Sequence, residues 1–512
     1  MLRPRLVSVF RGALLVLMAL LFRVPSARAA NLSVLRSAVF KIHVSSSEPN
    51  FTDPWKRQAP SGSSGTGFYI GDGLIMTNAH VIANATFVTV LRDGASKPVT
   101  ARVKFVGHDC DLAILEVDDK SIFKDSTPMT FGALPRLRSP VSVIGFPMGG
   151  EQVSVTEGVV SRISYRHYVH SGNSNHILVQ VDSAINPGNS GGPVVQGSRV
   201  VGVAFQTYTS AQNTGYIIPT PVIQRFLKDI EDGKYDGHPE DGLTTSEWTM
   251  LNPSMMAFHG LTDKDGGIQV SHVASWAPTA GKIQAGDILI EIEGQPIGVD
   301  GKVSFSGERV DFRTLFDLKQ MGDAAKFKLS RGGKISDVVV DVKPAVPHHL
   351  PSLVYAKHAK YFVWGGLVFT TLTRSYLKTW GDRWYKEAPL GLRYFDYYSE
   401  FDRVTADVND IVVLAKRLPD GVNAYATSDI NGIVTAVDGH RVTSIEDFIA
   451  RVETGTDEYV VIEFFGSEDP LVLSRHAVTA KNAALNEKYG VKPDRWLFGP
   501  DVDGAIGTDG VK

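Results

Sequence analysis

The chain has 512 residues, 43% of them hydrophobic, apolar material for roughly three buried cores. Its formal net charge of −3 lacks the positive excess with which nucleic-acid binders neutralise phosphates, so no nucleic-acid partner is expected. The single cysteine, Cys110, excludes an intrachain disulfide and reads as a small buried hydrophobe.

Arg3, Arg5 and Arg11 precede an apolar run over 13–22, and Ala27-Arg28-Ala29 has the small residues of a cleavage site. A run of that length falls short of the about twenty residues that span a bilayer. Residues 1–29 are therefore expected to be a signal peptide, cleaved after Ala29, which exports the protein to a periplasm. An uncleaved membrane anchor is a second option. An organelle transit peptide is a third, because no acidic residue precedes Glu48.

From 35 to 231 short apolar runs alternate with turns: 39–44, 67–70, 74–77, 87–91, 101–107, 112–117, 141–145, 153–163, 177–181, 194–195, 200–205 and 214–219. Even spacing of this kind predicts a barrel architecture, followed by a helix over 220–231. Two loops stand out, 45–64 rich in Ser and Pro and 164–175 carrying Arg166, His167 and His170. Two histidines without a third ligand do not define a metal site, so neither metal nor cofactor is expected.

Within this strand-rich half lies Asn186-Pro187-Gly188-Asn189-Ser190-Gly191-Gly192-Pro193. Glycine weakens ordinary strands and helices, so this density suits a backbone that turns sharply and presents successive N–H groups, as in an oxyanion hole beside a serine nucleophile. Asn-Pro-Gly-Asn is equally good chemistry for a plain surface turn. Gly188-x-Ser190-x-Gly192 also fits the nucleophile elbow of α/β-hydrolases, whose partners follow in the order Ser, Asp, His. Downstream of Ser190 no such pair stands out. Upstream, His80 follows the apolar run Leu74-Ile75-Met76, and Asp111 opens Leu112-Ala113-Ile114-Leu115. Asp109 is nearly as well placed. Asp111 is preferred because the apolar run would bury its carboxylate beside the imidazole. The resulting order His80, Asp111, Ser190 is that of chymotrypsin-like proteases.

Gly65-Thr66-Gly67-Phe68, Thr77-Asn78-Ala79-His80-Val81, Asp111-Leu112-Ala113 and Gly188-Asn189-Ser190-Gly191-Gly192-Pro193 together resemble the HtrA/Deg family of serine proteases. The resemblance implies a mainly β fold, a chymotrypsin-like double β-barrel followed by two PDZ-like α+β domains. It further implies that Ser190 is the nucleophile, His80 the base and Asp111 its orienting acid. Gly188 and Ser190 would form the oxyanion hole, with Asn189 shaping the loop. Phe205, Gln206 and Thr207 would line the primary specificity pocket. Family members form trimers or larger cages, so a homo-oligomer is expected.

The second half holds an internal repeat. Ile288-Leu289-Ile290-Glu291-Ile292-Glu293-Gly294-Gln295-Pro296 parallels Ile433-Val434-Thr435-Ala436-Val437-Asp438-Gly439-His440-Arg441. Each copy is a strand, an acid-Gly turn and a second strand, followed by an amphipathic helix (312–319 and 444–452) and a hairpin (327–340 and 459–473). This order resembles the PDZ domains of the same family, which capture extended peptides on a sheet edge. In the first copy Gly242, Leu243 and Thr244 would form the carboxylate loop, with Met255, Met256 and Phe258 along the groove. Asp241 beside that loop would repel a ligand carboxylate, which leaves peptide C-termini, internal segments or pure assembly open. The aromatic-rich second copy, from Tyr361 to Trp384, resembles the divergent last domain of plant-type Deg proteases and suits oligomerisation or internal docking. The expected division is protease 30–232, first PDZ 236–345, second PDZ-like domain 352–480 and tail 481–512.

The expected function is ATP-independent endoproteolysis of unfolded or damaged proteins outside the cytoplasm, since no Gly-rich loop ending in Lys-Ser/Thr is present. Two rivals remain: a chaperone or scaffold that binds unfolded peptides without cutting, and an esterase or amidase on small molecules.

Overall fold

The computed structural model describes residues 33–172, 174–207, 214–240, 242–243, 248–262, 266–343, 353–399 and 408–497. The segment expected to direct export lies outside them. Among the described residues, no helix is long and apolar enough to cross a membrane.

Two barrels form the N-terminal half. In the first, Val39–Ser46, Ser61–Gly71, Leu74–Thr77, Leu112–Val117, Val99–Gly107 and Ala85–Arg92 close on one another. Alternation along these strands turns Phe40, Ile42 and Val44 inward onto Ile75, Val88, Val90 and Leu115. In the second, Pro140–Gly145, Ser154–His167, Asn175–Val181, Gly215–Pro219, Arg199–Thr207 and Pro193–Gln196 form a ring, and Thr130–Phe131 adds an outer strand. Helix Thr220–Asp229 leaves this barrel with Val222, Ile223 and Phe226 buried against it. Its Arg225 pairs with Asp229 at 2.9 Å and donates from Nε to the Lys319 carbonyl at 3.1 Å, tying the barrel to the next module.

That module is a sheet of Trp248–Met250, Ile268–Val270, Ile288–Ile292, Ala324–Arg331 and Lys334–Asp341, with Gln295–Pro296 paired to Ile288–Ile292 and a separate hairpin of Lys302–Phe305 and Glu308–Asp311. The repeat read from the sequence is visible in the backbone. Glu293 and Gly294 take φ of 52° and 73°, and Asp438 and Gly439 take 51° and 73°, the two positive values of a type I′ hairpin turn. The helix expected over 312–319 is shorter, Thr314–Asp317, because residues up to Asp311 are spent on the hairpin.

The last module has two four-stranded sheets, one of Val434–Val437, His440–Arg441, Tyr459–Phe464 and Leu471–Ser474, the other of Val412–Arg417, Leu367–Thr371, Tyr361–Trp364 and Arg495–Trp496. Helix Ile445–Thr454 starts where expected, with the Ser444 side chain accepting from the Asp447 amide. The boundary at 480 needs correction. Helix Arg475–Tyr489 runs through it, Val478 and Leu485 are buried, and Arg495–Trp496 pairs with Phe362–Tyr361. Residues 481–497 thus belong to this module, through the helix and the short strand Arg495–Trp496, and 498–512 lie outside the described residues. The dense aromatics serve the core: Phe369 and Phe448 lie 4.4 Å apart between ring centroids, and Phe362 packs beside them.

Loop 47–60 does not project freely. Trp55 packs against Tyr361, and Asp53 pairs with Lys416 at 2.7 Å, so this loop of the first barrel docks on the last module.

Candidate active site

Strand pairing brings His80 and Asp111 together. Thr77 lies opposite Ala113 where Leu74–Thr77 pairs with Leu112–Val117. His80 follows Thr77 by three residues on the short helix Ala79–Ile82, and Asp111 precedes Ala113 by two. Asp111 takes φ of 53°, which swings its carboxylate across the strand end. Its Oδ2 accepts from His80 Nδ1 at 2.6 Å and its Oδ1 from the His80 amide at 2.7 Å. Because a carboxylate only accepts, Nδ1 carries the proton and Nε2 is left as the basic nitrogen. The Asn78 side chain donates to the Asp111 carbonyl at 2.9 Å and holds the turn.

The electrostatics follow. Burial opposes ionisation of Asp111, but the charge and hydrogen bonds of His80 hold its carboxyl below the ordinary range. Burial by itself lowers the His80 pKa, and the Asp111 carboxylate overrides it, raising the value above the ordinary one. Asp109, the rival acid, is turned elsewhere: its Oδ1 accepts from the Tyr235 hydroxyl at 2.5 Å and its Oδ2 from the His238 amide at 2.8 Å. Cys110 is buried and its thiol pKa is pushed up by that burial, which suits the hydrophobe expected there.

The turn carrying Ser190 is pinned at almost every peptide. The carbonyls of Pro187, Gly188 and Ser190 accept from the Met148 amide, the Thr66 hydroxyl and the Thr66 amide at 2.7, 2.7 and 2.9 Å. The amides of Asn189, Gly191 and Gly192 donate to Asn186, Ala204 and Asn189 at 3.0, 2.9 and 2.9 Å. Among the described residues, no hydrogen bond uses the amides of Gly188 or Ser190. Gly188 has φ of 97°, and a Cβ there would stand 2.4 Å from the Phe146 carbonyl oxygen. At Gly191 it would stand 2.2 Å from the Thr66 carbonyl oxygen. Steric necessity therefore explains the glycines.

Ser190 Oγ donates to the Phe205 carbonyl at 3.3 Å, and the Phe205 ring lies 6.4 Å from that of His80. Phe205 is buried, while Gln206 and Thr207 continue its strand opposite Tyr216 and Gly215. Residues 208–213 of that loop lie outside the described ones. Thr66, quoted above only as part of a motif, holds the barrels in register: beyond its bonds to Gly188 and Ser190, its hydroxyl accepts from the Phe146 amide and its carbonyl from the Thr77 hydroxyl. No local signal marks a threonine for this duty.

The loop expected over 164–175 is shorter, because Ser164 to His167 lie on strand Ser154–His167 and pair with Asn175–Val181; the turn that follows His167 packs behind Asp111. His170 Nε2 stands 4.0 Å from Asp111 Oδ1 and 2.8 Å from His108 Nδ1, with the Tyr355 ring stacked on both imidazoles. His167 takes no part in that stack.

In the expected carboxylate loop, Gly242 has φ of 69° and Leu243 is buried with its carbonyl accepting from Arg313 at 3.3 Å. Asp241 and Thr244 lie outside the described residues. Met256 is buried against Leu251, Leu261, Ile288 and Ile290, whereas Phe258 is 85% exposed.

Comparison with known proteins adds three findings. Residues 65–203 match the model of the trypsin-like peptidase domain, and residues 350–495 that of the PDZ domain. Among curated relatives, Protease Do-like 2, chloroplastic, of Arabidopsis thaliana is 34% identical over 476 residues, covering 91% of this chain and 76% of its own. The putative mitochondrial Protease Do-like 3 of the same plant is 39% identical over 343 residues, 67% of this chain, and here the chain spans 61% of the relative's length. The serine protease DegP homolog of Plasmodium falciparum is 28% identical, covering 90% of this chain and 67% of its own. Among solved structures, the HtrA-type protease AlgW with a tripeptide shares 26% identity over 63% of this chain and 98% of its own, with a TM-score of 0.48.

Proposed function

The chain belongs to the Do-like (HtrA/Deg) family of serine proteases, and on that premise we propose that His80, Asp111 and Ser190 are its catalytic triad. Ser190 Oγ attacks the scissile carbonyl while His80 Nε2 accepts its proton and later delivers it to the leaving amine. Asp111 keeps the imidazole in the Nδ1–H tautomer and stabilises the imidazolium. The amides of Gly188 and Ser190 bind the oxyanion, a contribution of about 2.7–4 kcal/mol per donor. Water then releases the acyl group by the same proton traffic in reverse. In the resting geometry the Ser190 proton rests on the Phe205 carbonyl, so the hydroxyl must rotate toward His80 before attack.

The observation that carries this reading is the two-point grip of one carboxylate on both the ring and the amide of His80. A histidine held so firmly is oriented for a task that a surface residue does not have.

We further propose ATP-independent endoproteolysis of unfolded or damaged proteins, with extended peptides engaging the PDZ-like modules and the chain working as a homo-oligomer. The chain divides into a protease domain 30–232, a first PDZ-like domain 236–345 and a second from 352 to 497. Relatives named chloroplastic and mitochondrial favour an organelle over the periplasm. The test compares wild type with Ser190→Ala on unfolded casein. Cleavage by wild type alone supports the assignment. Equal inertness of both, with equal suppression of aggregation, overturns it in favour of a peptide-binding chaperone.

A further inference from the structure

Behind the second barrel three chain segments place titratable side chains at one point: His176 on Asn175–Val181, His238 in the connection to the first PDZ-like module, and Asp317 at the end of Thr314–Asp317. All three are more than nine-tenths buried. One ligand atom from each lies within 4.8 Å of the others. His176 Nδ1 and His238 Nδ1 stand 2.8 and 2.9 Å from the same Asp317 oxygen, Oδ1.

Two observations point beyond an ordinary ion pair. His176 Nε2 lies 3.0 Å from the Asp109 carbonyl, which can only accept, so the Nε2 proton is used there and Nδ1 is aimed at the cluster. A ring nitrogen donating to a backbone carbonyl while the other faces inward is the outer-shell arrangement that orients metal-bound histidines. Second, Asp317 Oδ2 and His238 Nε2 are buried without a hydrogen-bond partner among the described residues. Orphaned polar atoms at this depth are costly unless something binds them. Beside them is a cavity of about 110 Å³ lined by Asp109, Asn175, Glu240 and Arg313 as well as the three residues themselves, room enough for a water.

We propose that His176, His238 and Asp317 bind a divalent transition-metal ion of the zinc class. Two imidazoles and one carboxylate are the ligand types such ions take, and water in the cavity completes a four-coordinate shell. Binding releases to solvent the proton between His176 Nδ1 and Asp317 and clamps three separate segments together, while His238, whose Nδ1 donates to the Asp317 carbonyl at 3.1 Å, ligates through Nε2. The same turn that offers the Asp109 carbonyl to His176 carries Asp111 two residues on, so the ion stiffens the turn behind the proposed triad. This site does not depend on the catalytic assignment.

The test uses the full chain, dialysed against a chelator and titrated with Co²⁺ and then Zn²⁺. One Co²⁺ per chain, with visible ligand-field absorption that Zn²⁺ abolishes and a rise in Tm on addition, is expected. His238→Gln and Asp317→Asn should each weaken Co²⁺ binding at least tenfold, whereas His167→Gln should leave it intact. If Asp317→Asn does not fold, His238→Gln decides alone. No stoichiometric Co²⁺ or Zn²⁺ binding and an unchanged Tm would overturn the proposal, leaving a proton-bridged His–Asp–His cluster. Loss of binding in His167→Gln with retention in His238→Gln would overturn it equally.

Discussion

The Tyr355 hydroxyl donates to the His170 carbonyl at 2.6 Å while its ring stacks on the same imidazole at 4.3 Å between centroids. Tyr355 stands at the entrance to the last module, and His170 stands 4.0 Å from the carboxylate that grips His80. One side chain thus couples the C-terminal module to the back of the proposed triad. Tyr355→Phe keeps the stack and removes one hydrogen bond, and should lower stability by about 1 kcal/mol with near-normal kcat. Tyr355→Ala removes both and should lower kcat more than it changes KM. Equal kinetics for the two variants in steady-state peptide hydrolysis would remove the coupling.

The pH profile of proteolysis tests the His80–Asp111 grip. In the proposed mechanism only neutral His80 can act as base, and its pKa is raised above 6.5, so kcat/KM should fall on the acid side with a midpoint above that value. Asp111→Asn removes the charge that raises it. The acidic limb should then move downward, and kcat should drop about ten-thousand-fold, because the amide no longer enforces the right tautomer.

His108 and His170 give a separate acid sensitivity. Burial lowers their pKa values to about 4 and about 3, against 6.5 for an unperturbed histidine. Below pH 6.5 the unfolded chain binds protons that the folded chain refuses, so stability is full above that pH and falls progressively toward the folded values. Urea unfolding at several pH values should show that slope. His170→Gln should flatten it, even if stability at pH 8 is lower.

Gly188→Ala introduces a Cβ into the Phe146 carbonyl at a φ of 97°. Strain of about 1–3 kcal/mol is expected, together with movement of the turn that presents the proposed oxyanion amides. Activity should fall further than thermal stability does. An active variant with an unchanged Tm would show that the turn tolerates a side chain there.

Local chemistry is what sequence conveys well here. A glycine-flanked Ser190, His80 just past an apolar strand and Asp111 just before another are short-range patterns, as are the acid-Gly turns of the repeat, because turn geometry is decided by a few neighbouring residues. The choice between Asp109 and Asp111 already needed burial as an argument, and the structure shows the two carboxylates facing different partners. The duty of Thr66, the stack of Tyr355 on His108 and His170, and the meeting of His176, His238 and Asp317 have no local signature at all. Their partners are separated by tens to hundreds of residues, and each of these side chains is unremarkable in its own segment. Likewise Arg495–Trp496 reads as tail until the sheet edge at Tyr361–Phe362 stands beside it. Such contacts are decided only when barrels and modules pack, since burial and hydrogen-bond demand belong to the assembled surfaces rather than to any one stretch of chain.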